Sequence, residues 1–316
     1  MSREHRILVL DHLDDDALRR LAAAGEVVRA DPASDDELHR LLSDVDAVIL
    51  RTRTRLTRSA LAVAGRLKVI GRAGAGVDNI DVAAAAERGI LVVNTPDAAT
   101  DAVADLTVGL MISLLRRIHE GDAEIRRGRY AEGRSRSLGR ELHELTLGVV
   151  GMGRAGTAVG RRCRLGFGMR VLFTDIREIG WLPFAAQAVG LEQLLAESDV
   201  VSLHVPLNPT TRRLMNERTL SRMRSSAMLI NTSRGEVVAP EAVAAALESG
   251  SLAGYAADVL DAEPPAPDHP LLRAPNVLLT PHIGARTRSA QARMSDVVDD
   301  VVRVLAGEVP RFPIEA

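Results

Sequence analysis

The regular alternation of short apolar runs with amphipathic segments most strongly limits what this chain can fold into. In its N-terminal third the apolar runs are residues 6–10, 26–28, 47–50, 69–70 and 90–93. Several of the segments between these runs open with Asp or Ser and close with Gly, as capped helices do. Strands that alternate with helices predict a parallel sheet joined by crossover helices, and therefore an α/β fold.

The chain is long enough for two such units. It has 316 residues, and a second α/β series runs from residue 146 to about residue 282. Residues 99–120 are predicted to form one long, largely buried helix, and the arginine-rich residues 121–141 an irregular, solvated connector. Residues 289–308 show a further amphipathic helical pattern. Long helices at the junctions favour a discontinuous arrangement, in which the C-terminal helix returns to the first unit.

Composition narrows the possible partners and cofactors. The formal net charge is −2, which argues against nucleic acid as the main partner. No apolar run is long enough to span a membrane, so a cytoplasmic protein without a membrane partner is expected. The single cysteine, Cys163, lies in a predicted helix and is expected to be a small buried apolar side chain. The eight histidines show no metal-binding spacing, so no metal site is expected.

A glycine-rich loop, GMGRAG at residues 151–156, lies between an apolar strand at 147–150 and a helix at 154–165. The loop alone is a weak signal, but this strand–loop–helix context is typical of a site for a dinucleotide pyrophosphate. The next strand ends at Asp175, whose carboxylate suits the ribose hydroxyls of an adenosine and would repel a 2′-phosphate. The pattern therefore predicts NAD rather than NADP, with Arg177 as a mild contrary signal.

Three polar residues follow apolar strands downstream of this loop: Arg234, Glu263 and His282. A guanidinium can hold a carboxylate in two hydrogen bonds, and an imidazole can exchange a proton with a carbonyl oxygen near neutral pH. A carboxylate beside an imidazole fixes its tautomer and keeps it protonated. Each residue alone is more often structural or exposed. Together with Asp258, a candidate acceptor for a nicotinamide carboxamide, they predict a site that reduces a 2-oxo acid.

Eight motifs span nearly the whole chain: GRAGAGVDNID (71–81), VVNTP (92–96), ADLTVGL (104–110), GVVGMGRAG (148–156), SLHVPL (202–207), INTSRGEVV (230–238), AADVLDAEPP (256–265) and TPHIGA (280–285). In this order they resemble the D-isomer-specific 2-hydroxyacid dehydrogenase family. The resemblance implies two parallel-sheet α/β domains. A Rossmann-type NAD-binding domain, residues 99–287, is inserted in a flavodoxin-like substrate-binding domain, residues 1–98 and 288–316. It also implies a homodimer formed through the cofactor domain.

The same resemblance implies roles for individual residues. Arg234 would bind the substrate carboxylate and polarise the keto group, and His282 would be the acid/base with Glu263 as its partner. Ala73 and Gly74 would offer backbone N–H groups to the carboxylate. The positions implied to line the dinucleotide are Gly151, Gly153, Arg154, Ala155, Gly156, Asp175, Thr232, Arg234, Asp258, His282 and Gly284.

The motifs leave two substrate classes. The segment 71–81 and Arg51 look like those of phosphoglycerate dehydrogenases, in which the positions matching Arg51 and Arg72 meet the substrate phosphate. A solvated strand face is the alternative interpretation of Arg51. The segment DAATDAVADLT, residues 97–107, looks more like that of glyoxylate and hydroxypyruvate reductases. The small regulatory domain of many phosphoglycerate dehydrogenases is not expected in a chain of this length.

Two rival functions share parts of this pattern. Formate dehydrogenases of the same superfamily usually have glutamine where Glu263 stands, because their reaction needs no proton transfer, so Glu263 argues against them. Corepressors of the family, which sense NAD(H) and bind other proteins, keep the same three polar residues and remain a distant alternative. Turnover of a 2-oxo acid separates the enzyme from the interaction protein.

Overall fold

The computed structural model describes residues 5–136 and 138–315. The chain forms two compact units, one made of Met1–Ala99 with Ala285–Ala316 and the other of Thr100–Gly284. We call them the split unit and the continuous unit.

Helices and strands alternate along most of the chain. The first elements are β1 (His5–Val9), α1 (Asp15–Ala22), β2 (Gly25–Arg29), α2 (Asp35–Leu42), β3 (Ala47–Leu50), α3 (Arg58–Ala62), β4 (Val69–Arg72), α4 (Val82–Glu87) and β5 (Leu91–Asn94). There follow α5 (Thr100–Leu115), α6 (Ile118–Arg126), α7 (Tyr130–Arg136), β6 (Thr146–Val150), α8 (Arg154–Phe167), β7 (Arg170–Thr174), β8 (Gln187–Ala188), α9 (Leu191–Glu197) and β9 (Val200–Leu203). The last are α10 (Glu217–Leu220), β10 (Met228–Asn231), α11 (Pro240–Glu248), β11 (Gly254–Ala257), β12 (Val277–Leu279), α12 (Arg288–Ser295) and α13 (Val297–Leu305).

The split unit is built on a parallel sheet with the order β2-β1-β3-β4-β5. Strands β3 and β4 are buried along their whole length, as expected of central strands covered by helices on both faces. One face packs against α13, whose Val297, Val298 and Val301 join the same core as Ile7 and Val69. This strand order is that of the flavodoxin-like folds, so the predicted return of the C-terminal residues to the first sheet has a structural basis.

The continuous unit is built on a seven-stranded sheet with the order β12-β11-β10-β9-β6-β7-β8. Counted from β6, this is the doubly wound order of dinucleotide-binding folds with one further strand at the edge. The order reverses between β6 and β9, which pair in parallel. Ligands of such sheets bind beyond the carboxyl ends of the strands at this reversal, so the loops after β6 and β9 to β12 are the expected site. The predicted α/β class with two parallel sheets is confirmed.

Two helix predictions were wrong. The helix expected over residues 99–120 ends at Leu115, and a new helix begins at Ile118 after Arg117, which takes a left-handed conformation (φ 51°). The segment expected to be irregular contains α6 and α7, where Glu124 accepts hydrogen bonds from Arg127 and Arg129. Because these arginines bind a carboxylate on their own segment, part of their charge is neutralised locally.

The C-terminal helix is also divided, at Asp296, into α12 and α13. Cys163 lies fully buried in α8, as predicted, and burial raises the pKa of its thiol to about 12. Of the helices in residues 5–136 and 138–315, none combines the length and the apolar character that a membrane crossing requires.

Candidate active site

The glycine-rich loop joins β6 to α8 at the reversal of strand order. Gly151 has φ 92°, and a Cβ there would lie 2.5 Å from the carbonyl oxygen of His204 at the end of β9. A Cβ on Gly156 would overlap the carbonyl of Gly151, so the helix start packs directly on the turn. A Cβ on Gly153 would meet only the Arg177 guanidinium, at 3.8 Å, so space lies in front of this residue. These are the three glycine functions that a pyrophosphate site needs, so the loop fits a dinucleotide.

The first turn of α8 adds an anion-binding surface to this loop. Arg154 and Ala155 are its first residues, and helix α8 has no side-chain cap at Gly153. The N–H groups of a first helical turn lack helical acceptors and carry the positive end of the helix dipole, which favours phosphate.

Asp175 lies just beyond β7, beside the glycine loop. Its carboxylate accepts hydrogen bonds from the backbone N–H of Met152 at 2.8 Å and from that of Arg177 at 2.9 Å. Burial alone would raise the pKa of Asp175, but the hydrogen bonds from Arg177 and Met152 hold it below its ordinary value. The Arg177 guanidinium also binds this carboxylate, at 3.1 Å. Arg177, which would suit the 2′-phosphate of NADP, is therefore already paired with Asp175, the residue that favours NAD.

Arg234 follows β10 in a turn that a buried residue, Asn231, holds in place. The Asn231 side-chain amide donates to the carbonyl of Arg234 at 2.9 Å, and its oxygen accepts from the N–H and hydroxyl of Ser233. Thr232 in the same turn shares a hydrogen bond of 2.9 Å with Thr107 of α5. Our sequence reasoning missed Asn231. Its signal was an Asn-Thr-Ser sequence at a strand end, where Asn side chains commonly close turns.

Gly235 brings the Arg234 turn against the loop that carries Glu263. A Cβ on Gly235 would overlap the carbonyl group of Leu260 and the backbone nitrogen of Asp261. Only glycine permits this approach of two backbones. The turn after β10 and the loop after β11 therefore touch directly.

His282 and Glu263 form a hydrogen-bonded pair. Glu263 Oε2 lies 2.7 Å from His282 Nδ1, and Glu263 Oε1 accepts from the backbone N–H of Leu260 at 3.1 Å. Burial alone would raise the pKa of Glu263, but the hydrogen bond and charge of His282, the Leu260 N–H and the charge of Arg234 together lower it. The side chains of His282 and Glu263 are 32% and 39% exposed, so a small molecule can reach them. The structure thus brings Arg234, Glu263 and His282 together in the continuous unit.

The backbone that presents His282 is fixed by Asp258. The buried Asp258 carboxylate accepts from the Thr280 hydroxyl at 2.5 Å and from the N–H groups of Ile283 and Gly284 at 2.8 and 2.7 Å. His282 itself has φ 53°, a left-handed conformation that is uncommon outside glycine. A carboxylate offers about four lone-pair sites, so Asp258 keeps room for one further donor at most.

The remaining candidates lie in the split unit. The Arg51 N–H binds Asp11 at 2.8 Å, and its guanidinium donates to Gln291 of α12. Burial lowers the pKa of Arg51, Asp11 partly offsets this, and the charge of Arg286 lowers it further. Arg286 and Gln291 had not been identified from the sequence, because both lie far from Arg51 along the chain.

The backbone from Arg72 to Gly74 forms a tight structure beside this group. The Arg72 guanidinium is buried and donates to the carbonyl of Ala73 at 3.3 Å. Gly74 has φ 140°, and a Cβ there would overlap that guanidinium. Position 74 thus favours glycine for its backbone conformation, and a larger residue would also displace the Arg72 guanidinium.

Comparisons with known proteins agree with this geometry. The family model described as "D-isomer specific 2-hydroxyacid dehydrogenase, NAD binding domain" matches residues 108–284. A D-3-phosphoglycerate dehydrogenase of Methanocaldococcus jannaschii is 40% identical over 96% of this chain, which spans just over half (58%) of that relative. A hydroxypyruvate reductase of Thermotoga maritima is 36% identical over 95% of this chain and 98% of the relative. The crystal structure of TT0316 protein from Thermus thermophilus matches with a TM-score of 0.91 and 42% identity, covering 98% of this chain and 100% of that one.

Proposed function

Because the chain belongs to the D-isomer specific 2-hydroxyacid dehydrogenase family, we propose that it interconverts a D-2-hydroxy acid and its 2-oxo acid with NAD(H). The observation that carries the proposal is the hydrogen bond of 2.7 Å between His282 and Glu263, on loops that follow strands of the nucleotide-binding sheet. Bound NAD(H) supplies or accepts the hydride at the substrate C2 carbon.

His282 is the proposed acid/base of this reaction. Its Nδ1 faces Glu263, so Nε2 is the nitrogen left to give a proton to the substrate oxygen or to take it back. The lowered pKa of Glu263 keeps that carboxylate ionised near neutral pH, where it fixes the tautomer and stabilises the imidazolium. Reduction of the ketone thus consumes one hydride and one proton, and oxidation of the alcohol returns both.

Arg234 orients the substrate. Its planar guanidinium suits the carboxylate of a 2-oxo acid, and its charge favours electron density on the keto oxygen. The N–H groups of Ala73 and Gly74 are proposed as further donors to the substrate carboxylate. Fixing the substrate in this way uses binding energy to offset part of the entropic cost of reaching the transition state.

The cofactor is proposed to lie on the loop of Gly151, Gly153 and Gly156 and on the first turn of α8. The ionised Asp175 would accept hydrogen bonds from the ribose hydroxyls and repel a 2′-phosphate, which favours NAD over NADP. The other residues proposed to line the dinucleotide are Arg154, Ala155, Thr232, Asp258 and Gly284.

We propose 3-phosphoglycerate as the hydroxy acid. The support is a group of arginines in the split unit. The charges of Arg51 and Arg286 act on each other, and Arg72 lies on β4, the strand that pairs with β3, which Arg51 follows. Arginines near one another favour a dianionic phosphate. Glyoxylate or hydroxypyruvate is the second candidate, favoured by the match to a hydroxypyruvate reductase over nearly its whole length and by the pattern of residues 97–107.

NADH oxidation with 3-phosphohydroxypyruvate, hydroxypyruvate and glyoxylate tests this proposal. We expect the highest kcat/KM with the phosphorylated substrate and a loss of at least ~10-fold in Arg51→Ala, because a charge-assisted hydrogen bond contributes about 1.5–3 kcal/mol. Arg53→Ala is the control. Arg53 lies on the same segment as Arg51 but forms a salt bridge with Asp31, so this variant should retain wild-type values. Absence of turnover on any 2-oxo acid would refute the dehydrogenase proposal.

A homodimer is proposed through the continuous unit. Three large apolar side chains stand exposed on α6 and α7: Ile118 (53%), Ile125 (59%) and Tyr130 (63%). Apolar side chains grouped on adjacent helices are typical of a surface that a second copy covers.

A further inference from the structure

A second histidine–carboxylate pair closes the loop that carries Glu263. His269 Nε2 lies 2.8 Å from Asp261 Oδ1, and Glu263 lies between the two residues in sequence. His269 is 8% exposed, whereas most of the loop around it is exposed. The pair therefore joins a buried imidazole to an exposed carboxylate at the start of the same loop.

The hydrogen bonds of His269 define its tautomer. Its Nδ1 accepts from the backbone N–H of Leu271 at 3.3 Å, so Nδ1 carries no proton. A neutral imidazole then carries its proton on Nε2 and donates it to Asp261. The donor thus faces the carboxylate, and the acceptor caps the 3-10 turn at Pro270–Leu272.

The Asp261 end of the loop is fixed on its other side as well. The backbone of Leu260 and Asp261 lies against Gly235, next to Arg234. The Leu260 N–H binds Glu263 Oε1 at 3.1 Å, which leaves Oε2 for His282. The position of Glu263 therefore depends on a closed loop whose two ends are Asp261 and His269.

We propose that Asp261 and His269 are a positioning pair, which holds the Glu263 carboxylate against the His282 imidazole. This inference rests on the proposed function and adds two residues that act through Glu263 and do not touch substrate. The charged groups that act on Glu263 are His282 and Arg234, and the titratable group that Asp261 affects is the buried Tyr255. Breaking the hydrogen bond between Asp261 and His269 lets the exposed loop move. The Glu263 carboxylate then spends less time beside the His282 imidazole.

The test compares Asp261→Ala and His269→Asn with Asp268→Ala, an exposed acid of the same loop. His269→Asn keeps an acceptor for the Leu271 N–H, because Asn is a good cap, but its amide is too short to reach Asp261. We expect both pair variants to lose roughly 10-fold in kcat, with KM values for NADH and the 2-oxo acid within about 2-fold of wild type. Asp268→Ala should match wild type. Asp261→Asn, which retains an acceptor for Nε2–H, should stay within about 3-fold.

The comparison of kcat with NADH binding separates positioning from a general loss of structure. A loop that moves weakens the contact between Glu263 and His282 but leaves the glycine loop unchanged, so kcat should fall while the dissociation constant of NADH stays within about 2-fold of wild type. Wild-type kcat in both pair variants would overturn the inference. So would a lower Tm with equal losses for NADH binding and turnover.

A measurement without turnover separates this inference from the proposed function. The hydrogen–deuterium exchange of the Leu260 N–H, which donates to Glu263, should become faster in Asp261→Ala and His269→Asn in the protein without added substrate. If wild type turns over no 2-oxo acid but this exchange becomes faster in both variants, the dehydrogenase proposal fails and the positioning pair stands. An unchanged exchange rate refutes the pair, whatever the turnover.

Discussion

At the scale of single residues, the proposed chemistry rests on Arg234, Glu263 and His282, which lie in one group. The sequence pointed to all three because each follows an apolar strand. Asn231, Gly235 and His269 were not selected. The structural role of each of these residues depends on which loop lies beside it, and the sequence does not show which backbone segments are in contact.

The first prediction concerns His282. His282→Asn removes the imidazole, while Asn tolerates the left-handed backbone at this position better than other replacements. We expect kcat to fall about 10²–10⁴-fold, the usual contribution of a positioned acid/base, with little change in NADH affinity. Steady-state kinetics and fluorescence titration with NADH measure the two quantities. Near-wild-type kcat would remove His282 from its proposed role.

The second prediction concerns Asp175. Asp175→Asn keeps an acceptor for the Met152 N–H but removes the charge and weakens the hold on Arg177. Arg177 then becomes available to a 2′-phosphate, so kcat/KM for NADPH relative to NADH should rise by at least ~10-fold. Adding Arg177→Ala should abolish most of this gain. A ratio unchanged by Asp175→Asn would show that the carboxylate does not select the cofactor.

At the scale of helices and strands, periodicity located the strands of the first sheet to within one or two residues at most ends. It failed where a single residue changes the direction of a helix. Arg117 breaks the run between α5 and α6 with φ 51°, yet the apolar spacing on both sides is helical. The division of the last helix at Asp296 escaped detection for the same reason, since the amphipathic pattern continues across it.

The third prediction tests the contact between the turn after β10 and the loop after β11. Gly235→Ala forces these backbones apart and should lower the free energy of unfolding by about 1–3 kcal/mol. Because the same movement separates Arg234 from Glu263, kcat should also fall by roughly 10²-fold.

Gly109 provides the matched control, since a Cβ there meets no atom within 4 Å in the helix α5. Gly109→Ala should raise the free energy of unfolding by about 0.5–1 kcal/mol, because alanine is the better helix former. Urea denaturation measures both variants. If Gly235→Ala were as stable as Gly109→Ala, the fold would not depend on the close approach of the turn after β10 and the loop after β11.

At the scale of the whole molecule, the α/β class and the parallel sheets could be predicted, because strand–helix alternation leaves few other folds. The roles of the two units, as substrate-binding and cofactor-binding domains, remain predictions. The substrate was beyond the sequence for a physical reason. The proposed choice of 3-phosphoglycerate rests on how arginines distant along the chain, such as Arg51 and Arg286, combine their charges.

The fourth prediction concerns assembly. Ile125→Glu places a charge among the exposed apolar side chains of α6 and α7 and should shift the protein from dimer to monomer at micromolar concentration, because an unpaired charge is costly to bury. Ile176→Glu changes a more fully exposed isoleucine beyond β7 (96%, against 59% for Ile125) and should leave the dimer intact. Sedimentation velocity distinguishes the two outcomes. A dimeric Ile125→Glu would place the interface elsewhere.

The left-handed backbone of His282 has a consequence for the evolution of this site. A glycine at position 282 would relieve roughly 1 kcal/mol of backbone strain, so the fold itself would be more stable without the imidazole. Selection for a stable fold would favour glycine at position 282, whereas the proposed proton transfer requires histidine there. A relative that no longer needed the proposed reaction would be expected to lose this histidine and to gain thermal stability.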